Sequence, residues 1–225
     1  MAIEPRQGAA VITSCSRPGV MALTFDDGPY QYQGALLDQL AAAGAKATFF
    51  VTGTLYNCIY SGAATLQRAY NEGHQIASHT WTHANLQDLD DNGIRTEMAR
   101  VEDALANILG VKPRYMRPPY GATGGNVMNV LSQMGYKVVT WDVDSGDWNN
   151  TPVWQSQQVI QNAGTSGNGH IILMHEPIQS TVYELVPWLL DYARQNGLEL
   201  VTVAECLGDA GGAYTPAQGN GGSTC

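Results

Sequence analysis

Short apolar runs alternate with amphipathic segments along most of this chain. The runs have the length and composition of buried β-strands, and seven follow one another: Val20–Phe25, Ala47–Val51, Gln75–Ser78, Arg114–Met116, Lys137–Trp141, His170–Met174 and Leu198–Val203. Helical periodicity lies between them, as in Ile94–Leu109, where apolar residues recur every three or four positions. This alternation predicts an α/β fold with a parallel sheet, built either as a barrel or as an open doubly wound sheet.

Two further local patterns bear on the organisation of the chain. Glu184 follows Thr181 by three residues, and this spacing predicts a capping box at the start of a helix. With no internal repeat or shift in composition, residues 1–207 are expected to form a single domain. The stretch 208–225 is rich in Gly, Ser, Thr and Gln, so it is expected to be a weakly ordered tail or a truncated linker.

Charge and apolar content narrow the classes of partner. The 225 residues are 44% hydrophobic and carry a net charge of −9, which argues against nucleic acid or an anionic membrane surface as a partner. No apolar run approaches the roughly 20 residues that span a bilayer. The chain opens with Met-Ala-Ile-Glu-Pro and no signal-peptide pattern, which fits an intracellular protein or a mature form with an added Met.

The cysteines give a weak signal about the compartment. Cys15, Cys58, Cys206 and Cys225 show no C-x-x-C spacing, which argues against a zinc-thiolate site. An even number, with two near the termini, fits disulfides in a secreted protein, and reduced buried thiols are the alternative.

Unlike polar residues follow the ends of five predicted strands. They are, in chain order, Asp26 and Asp27, His79, Arg117, Asp144 and His175. In parallel βα barrels the carboxyl ends of the strands converge on the active site. This placement predicts an enzyme.

The Asp26–Asp27 pair and the SHTWTH segment together suggest a metal site. Two adjacent carboxylates repel each other, so a positive group is expected beside them, although Asp-Asp-Gly-Pro also makes an ordinary turn. His79 and His83 are four residues apart, a spacing that brings two imidazoles to one side of a helical turn. Two imidazoles and a carboxylate form a common catalytic zinc set, and two structural histidines are the alternative.

The remaining polar and aromatic segments each have two interpretations. Two prolines stiffen the chain after Arg117, so this side chain either clamps a carboxylate bidentately or lies on the surface. Trp141 and Trp148 either pack in the core or stack on a sugar ring. His175 ends an apolar run, where it is either a satisfied core residue or, beside a carboxylate, a protonated acid. His74 and His170 stand at the start of predicted strands, at the end opposite to the polar residues named above, and are interpreted as structural.

Taken in order, the segments TFDDGP, HTWTH, RPPYG, DSGDW and ILMH resemble the five motifs of carbohydrate esterase family 4, the NodB-type polysaccharide deacetylases. The flanking segments CSRPGVMALTFDDGP and VTVAECLGD resemble those of fungal chitin deacetylases. The resemblance implies a distorted (β/α)7 barrel, with residues 1–207 as the catalytic domain. It also implies hydrolysis of acetyl groups with a divalent metal, usually zinc, with cobalt or another divalent ion as alternatives.

The resemblance also implies a role for individual residues. It implies Asp27, His79 and His83 as metal ligands, Asp26 as general base, Arg117 as the residue that orients Asp26, His175 as general acid and Asp144 as the acid that holds His175. It further implies Leu173 and Trp148 as walls of the acetyl pocket, with Trp141 as a further substrate contact, the Tyr120 backbone N–H as an oxyanion donor, and a Cys15–Cys206 disulfide. The pairing of Cys58 and Cys225 stays open.

The substrate that the resemblance favours is chitin or chito-oligosaccharides, from whose N-acetylglucosamine units acetate is released. Acetylxylan esterase and peptidoglycan deacetylase activities share these motifs and remain alternatives. A carbohydrate-binding protein without catalysis is the alternative from another class. The expected protein is a secreted or cell-wall monomer.

Overall fold

The computed structural model describes residues 10–209 and 211–225, so the opening Met-Ala-Ile-Glu-Pro segment lies outside the described residues. The strands are β1 (Val20–Asp26), β2 (Ala47–Val51), β3 (Gln75–Ser78), β4 (Val111–Pro113), β5 (Tyr115–Met116), β6 (Lys137–Val138), β7 (Val143–Asp144), β8 (His170–His175), β9 (Glu199–Leu200) and β10 (Tyr214–Pro216). The α-helices are α1 (Gln33–Ala42), α2 (Ala63–Asn71), α3 (Asp91–Leu109), α4 (Val127–Gln133), α5 (Val153–Ala163), α6 (Val186–Gln195) and α7 (Val203–Cys206). Single helical turns add Ile59–Gly62, Leu86–Asp88, Pro119–Gly121, Asp147–Asn149 and Thr181–Leu185.

One curved parallel sheet organises the molecule. Its strand order is β6-β5-β3-β2-β1-β8-β7, and β9 pairs with the first residues of β1. No ladder joins β6 to β7 within the part of the chain that the structure describes, so the sheet forms a partial barrel. Helices α1, α2, α3 and α6 contribute to the main apolar core together with β1, β2 and β8. The prediction of a distorted parallel barrel in a single α/β unit is confirmed.

Strand β1 shows how the sequence places polar residues at one edge of the sheet. All seven of its residues are buried, and successive side chains point to opposite faces of the sheet. Leu23 and Phe25 pack into the main core beneath the helices, whereas Ala22 packs into a second apolar cluster on the other face. Thr24 and Asp26 follow Ala22 by two and four residues, so both lie on this second face, where the site forms.

Several local predictions differ from the structure. The run Lys137–Trp141 ends as a strand at Val138, and the separate strand β7 that follows was not predicted. The capping box at Thr181 and Glu184 is wrong: the Thr181 hydroxyl donates instead to Asp147 Oδ2 at 2.6 Å, and the first turn of that segment is a π-turn. The capping box that does form joins Thr202 and Glu205 at the start of α7.

The prediction of a weakly ordered end after residue 207 is also wrong. Strand β10 pairs antiparallel with β4, and the Tyr214 hydroxyl accepts a hydrogen bond from the backbone N–H of Ile76 at 2.6 Å. One disulfide joins Cys15 to Cys206, the pair that the resemblance implied, and a second joins Cys58 to Cys225. Pattern analysis missed this strand because its pairing partner lies about a hundred residues earlier.

The described residues contain no helix with the length and apolar character needed to cross a membrane.

Candidate active site

A cleft of about 370 Å³ opens at the carboxyl ends of the strands. Most of the residues singled out in the sequence line it: Asp26, Asp27, His79, His83, Tyr120, Trp141, Asp144, Trp148, Leu173 and His175. Tyr56, Pro118 and Ile178 complete the lining. A second groove of about 850 Å³ lies between α1, α6 and β9 and shares none of these lining residues. The titratable cluster therefore belongs to the smaller cleft.

Beneath the cleft, Asp26 and Arg117 form a buried ion pair. Arg117 Nη1 donates to Asp26 Oδ1 at 2.7 Å and to Thr24 Oγ1 at 2.8 Å, while Nη2 donates to the carbonyl of Thr140 at 2.8 Å. The guanidinium also stacks 4.2 Å from the Phe50 ring. The expected bidentate contact is replaced by a single donor, because the second nitrogen is committed to the backbone. Asp26 Oδ2 is left on the side of the cleft.

Asp27, His79 and His83 converge next to this pair. Their ligating atoms all lie within 4.8 Å of one another, and Asp27 Oδ1 is 3.6 Å from His79 Nε2 and 3.5 Å from His83 Nε2. Asp27 Oδ1 is buried and has no hydrogen-bond partner among the described residues. A buried carboxylate oxygen without a partner is costly unless a cation satisfies it. Two imidazole nitrogens and this oxygen fit a divalent transition metal such as zinc.

Neighbouring groups prepare these side chains to bind a cation. His79 Nδ1–H donates to the carbonyl of Arg117 at 2.7 Å, which leaves the lone pair of Nε2 for a metal. Burial lowers the pKa of His79, and burial together with His79 lowers the pKa of His83, so both rings favour the neutral form that coordinates metals. Burial and the neighbouring charge of Asp26 raise the pKa of Asp27 to about 6.

On the neighbouring strand β8, in register with Asp26, His175 is paired with Asp147. His175 Nδ1 lies 2.7 Å from Asp147 Oδ1, and the backbone N–H of His175 donates to Asp147 Oδ2 at 2.8 Å. Burial lowers the pKa of His175, but the hydrogen bond and charge of Asp147, with the charges of Asp26 and Asp27, outweigh it and raise this pKa to about 9. The imidazole is therefore a protonated group facing two carboxylates.

The assignment of Asp144 as the partner of His175 is wrong. Asp144 ends β7 and accepts hydrogen bonds from the Gly146 backbone N–H at 2.8 Å and from the Trp148 indole N–H at 3.2 Å. Gly146 has a φ of +71°, in the left-handed region that glycine readily adopts, and the chain turns there. Because of this turn, Asp147, three residues after Asp144, is buried against His175. Asp144 instead fixes the half-exposed Trp148 ring at the edge of the cleft.

Sequence reasoning also missed Glu176, which follows His175. This side chain is fully buried, and its Oε2 accepts a hydrogen bond from the Tyr30 backbone N–H at 2.8 Å. The backbone N–H of Glu176 donates to the Asp26 carbonyl at 3.1 Å. A Cβ on Gly28 would lie 2.2 Å from Oε2, so any larger residue at position 28 would require the turn after Asp27 or the Glu176 side chain to shift. Burial raises the pKa of Glu176 to about 7, opposed by backbone N–H groups of this turn.

Strained backbone is concentrated around the cleft. Asp27, Thr80, His83 and Tyr120 all have φ between +61° and +74°, a region that non-glycine residues rarely occupy. Three of these four residues line the cleft. Such strain is retained where the surrounding structure fixes a side chain for function.

Comparisons with known proteins identify the family of this chain. The family profile described as "Polysaccharide deacetylase" matches residues 13–139. The chain belongs to the polysaccharide deacetylase family. Within this family it is 42% identical over 214 residues to a chitin deacetylase of Pestalotiopsis sp, a match that covers 92% of this chain and 72% of that protein.

Two other family members extend the comparison. A chitin deacetylase of Arthroderma benhamiae is 41% identical over 92% of this chain, which spans only 57% of that protein's length. The structure of the chitin deacetylase from the fungal pathogen Colletotrichum lindemuthianum superposes with a TM-score of 0.87 at 35% identity, covering 92% of this chain and 95% of that one. The partial barrel and its single-domain organisation are thus those of a known polysaccharide deacetylase.

Proposed function

We propose that this polysaccharide deacetylase hydrolyses the N-acetyl groups of N-acetylglucosamine units in chitin or chito-oligosaccharides and releases acetate. The observation that carries the proposal is the arrangement of three groups in one cleft. A buried Asp26–Arg117 pair adjoins the Asp27, His79 and His83 triplet, and the protonated His175 faces both. A base, a cation site and an acid are what metal-assisted amide hydrolysis requires.

Asp27, His79 and His83 would hold the metal, with zinc as the proposed ion because its preferred ligands match this donor set. When bound, it would polarise the acetyl carbonyl as a Lewis acid and make water a better nucleophile at neutral pH.

Asp26 is the proposed general base. Arg117 holds one of its carboxylate oxygens in position, so the other is available to take a proton from the attacking water. Thr24, which shares the same guanidinium nitrogen, keeps Arg117 from shifting. Arg117 is therefore a positioning residue in this scheme.

His175 is the proposed general acid. Asp147 binds Nδ1, so Nε2 is left to carry the proton that passes to the departing sugar amine. Protonation of the amine as the C–N bond breaks produces a free amino sugar and acetate.

The rest of the cleft supplies the walls and an oxyanion contact. The Tyr120 backbone N–H is the proposed donor to the developing oxyanion, and one such donor is worth about 3 kcal/mol in other enzymes. Leu173 and Trp148 are the proposed walls of the acetyl pocket, and Trp141 is a proposed sugar contact. The half-exposed Trp148, tied to Asp144, offers an aromatic edge to the sugar.

The proposed setting is extracellular or the cell wall, with the protein acting as a monomer. Two disulfides in a chain of this size favour an oxidising compartment.

The deciding experiment is acetate release from a short N-acetylglucosamine oligomer after chelator treatment and after zinc is restored. We expect release to stop with chelator and to return with zinc. Release only from acetylated xylan, or only from peptidoglycan glycan strands, would keep the site and change the substrate. No release from any of the three would favour a carbohydrate-binding protein.

A further inference from the structure

Four tyrosines form a continuous row that begins in the cleft and leaves it. Tyr56 lines the cleft, and its ring centroid lies 5.3 Å from that of Tyr30. Tyr30 is 6.4 Å from Tyr32, and Tyr32 is 5.7 Å from Tyr183. We call Tyr56, Tyr30, Tyr32 and Tyr183 the tyrosine row. It joins side chains from three separate segments of the chain, so a single local sequence motif does not account for it.

The two ends of the row are open to solvent. Tyr56 is 52% exposed and Tyr183 is 50% exposed, whereas Tyr30 and Tyr32 between them are half-buried. Exposed aromatic side chains in contact with one another on a soluble protein often indicate a binding surface. Because each tyrosine combines an apolar ring with a hydroxyl group, the row suits a ligand that is itself apolar on one face and hydroxylated at its edges.

The row is held in a fixed position before any ligand arrives. The backbone N–H of Tyr30 donates to the buried Glu176, and Tyr32 packs against the main core and directly precedes α1. The Tyr32 ring meets both Tyr30 and Tyr183 edge-on, at 86° and 84°. A surface ordered in advance loses little conformational entropy when it binds.

We propose that the tyrosine row is an extended binding surface for the same polysaccharide chain whose reacting sugar occupies the cleft. The row starts among the cleft residues, and its neighbouring ring centroids are only 5.3–6.4 Å apart, so it continues the cleft without a break. A chain that fills the cleft and continues past Tyr56 would therefore contact Tyr30, Tyr32 and Tyr183 in turn. This inference rests on the proposed function, and it predicts that long oligosaccharides bind better than short ones.

Tyr183 is the residue to test, because it lies at the far end of the row and outside the cleft lining. Tyr183→Ala removes the ring, Tyr183→Phe keeps it, and Trp154→Ala removes an aromatic ring of similar exposure, 56%, that makes no ring contact with the row. Each change is made in the full chain, alone and combined with Asp26→Asn, which would suppress hydrolysis. Calorimetric titration with N-acetylglucosamine oligomers of increasing length then gives affinity in the Asp26→Asn background.

We expect Tyr183→Ala to weaken binding of the longest oligomers about fivefold, the size of effect that one aromatic contact makes. Binding of the disaccharide should be unchanged, and Tyr183→Phe and Trp154→Ala should behave as the parent at every length. In the Asp26-containing enzyme the same change should raise KM for long oligomers and leave kcat for the disaccharide unaltered.

Three results would overturn the proposal. One is an equal loss of affinity at all lengths, and another is no loss at any length. The third is unchanged oligosaccharide binding together with conversion of a dimer to a monomer by Tyr183→Ala in sedimentation, which would make the row a self-association surface. Failure of the parent enzyme to release acetate from any oligomer is a separate result: it would refute the proposed function, while the binding titrations would still decide the role of the row.

Discussion

The Nδ1 atom of His175 lies 2.7 Å from Asp147 Oδ1, and the other oxygen of the same carboxylate accepts the His175 backbone N–H. The Thr181 hydroxyl adds a third hydrogen bond to Asp147, at 2.6 Å. Asp147 is thus fixed by three donors, and it orients His175 through hydrogen bonds to both the imidazole ring and the backbone N–H. The charge of this buried carboxylate helps to raise the pKa of His175 to about 9.

Replacing Asp147 should move the alkaline limit of activity to lower pH. A raised pKa keeps the imidazole protonated, and so able to act as an acid, until the pH exceeds the pKa. Asp147→Asn removes the negative charge, so the pKa of His175 should fall and the decline of kcat/KM should begin at lower pH. We expect a loss of about tenfold or more near pH 8, measured as initial rates of acetate release across the pH range.

Asp144→Asn is the matched control, because Asp144 lies in the same segment and bonds Trp148 instead of His175. In this variant the alkaline limit of activity should stay at the parental pH, and KM should rise because Trp148 is less ordered. A shift of the alkaline limit with Asp144→Asn and none with Asp147→Asn would contradict the assignment of Asp147 as the partner of His175.

Asp26→Asn should separate metal binding from catalysis. An amide oxygen can still accept from Arg117, but it does not take up a proton from water, so activity should fall by about 10²–10⁴. The metal content, measured by elemental analysis, should match that of the parent because Asp26 lies outside the Asp27, His79 and His83 triplet. Activity within tenfold of the parent would exclude Asp26 as the general base.

His79→Ala should lose the metal itself. The variant removes one of the three proposed ligands and leaves the carbonyl of Arg117 without the His79 donor, so both metal content and activity should drop. His170→Asn is the control, because His170 pairs with Asp142 and lies outside the cleft lining. Equal metal content in both variants would rule out His79 as a ligand.

The core strands and the polar residues at their ends could be predicted from the sequence. Strands β1, β2 and β3 are buried at every residue, and β1 and β2 are mostly apolar, a pattern that carries a clear signal. Because parallel strands end at one edge of the sheet, Asp26, His79, Arg117 and His175 could be expected to meet before any geometry was known. The resemblance then implied a role for each of them.

The choice between neighbouring acids could not be predicted in the same way. The DVDSGD segment offers several carboxylates, and the left-handed turn at Gly146 decides that Asp147, not Asp144, contacts His175. Glu176 gave no signal either, since an acid beside a histidine is usually solvated, and only the close approach of Gly28 shows why it is buried. These features depend on chain reversal and on contacts between distant segments.

The two disulfides should differ in their contribution to stability. They close loops of similar length, with sequence separations of 191 and 167, so loop-closure entropy alone predicts similar effects of about 2–5 kcal/mol. Cys15 and Cys206 are buried in the second apolar cluster, whereas Cys225 is exposed. Replacing the first pair by alanines should therefore lower Tm further than replacing the second pair, as measured by calorimetry. The reverse order would mean that the contacts of the C-terminal segment outweigh burial.

Gly28→Ala should disturb the turn that carries both aspartates. The added Cβ would lie 2.2 Å from Glu176 Oε2, so either the turn or the buried glutamate must move, at a cost of about 1–3 kcal/mol in the free energy of unfolding. Movement of the turn would displace Asp27 from His79 and His83, so metal affinity should fall as well. Gly34→Ala is the matched control: residue 34 lies in α1 with open space where an alanine Cβ would project, and alanine there should stabilise the helix by about 0.5–1 kcal/mol. Denaturant unfolding and metal titration of the two variants measure both effects, and a Gly28→Ala protein with parental stability and metal affinity would show that Glu176 does not set the position of the turn.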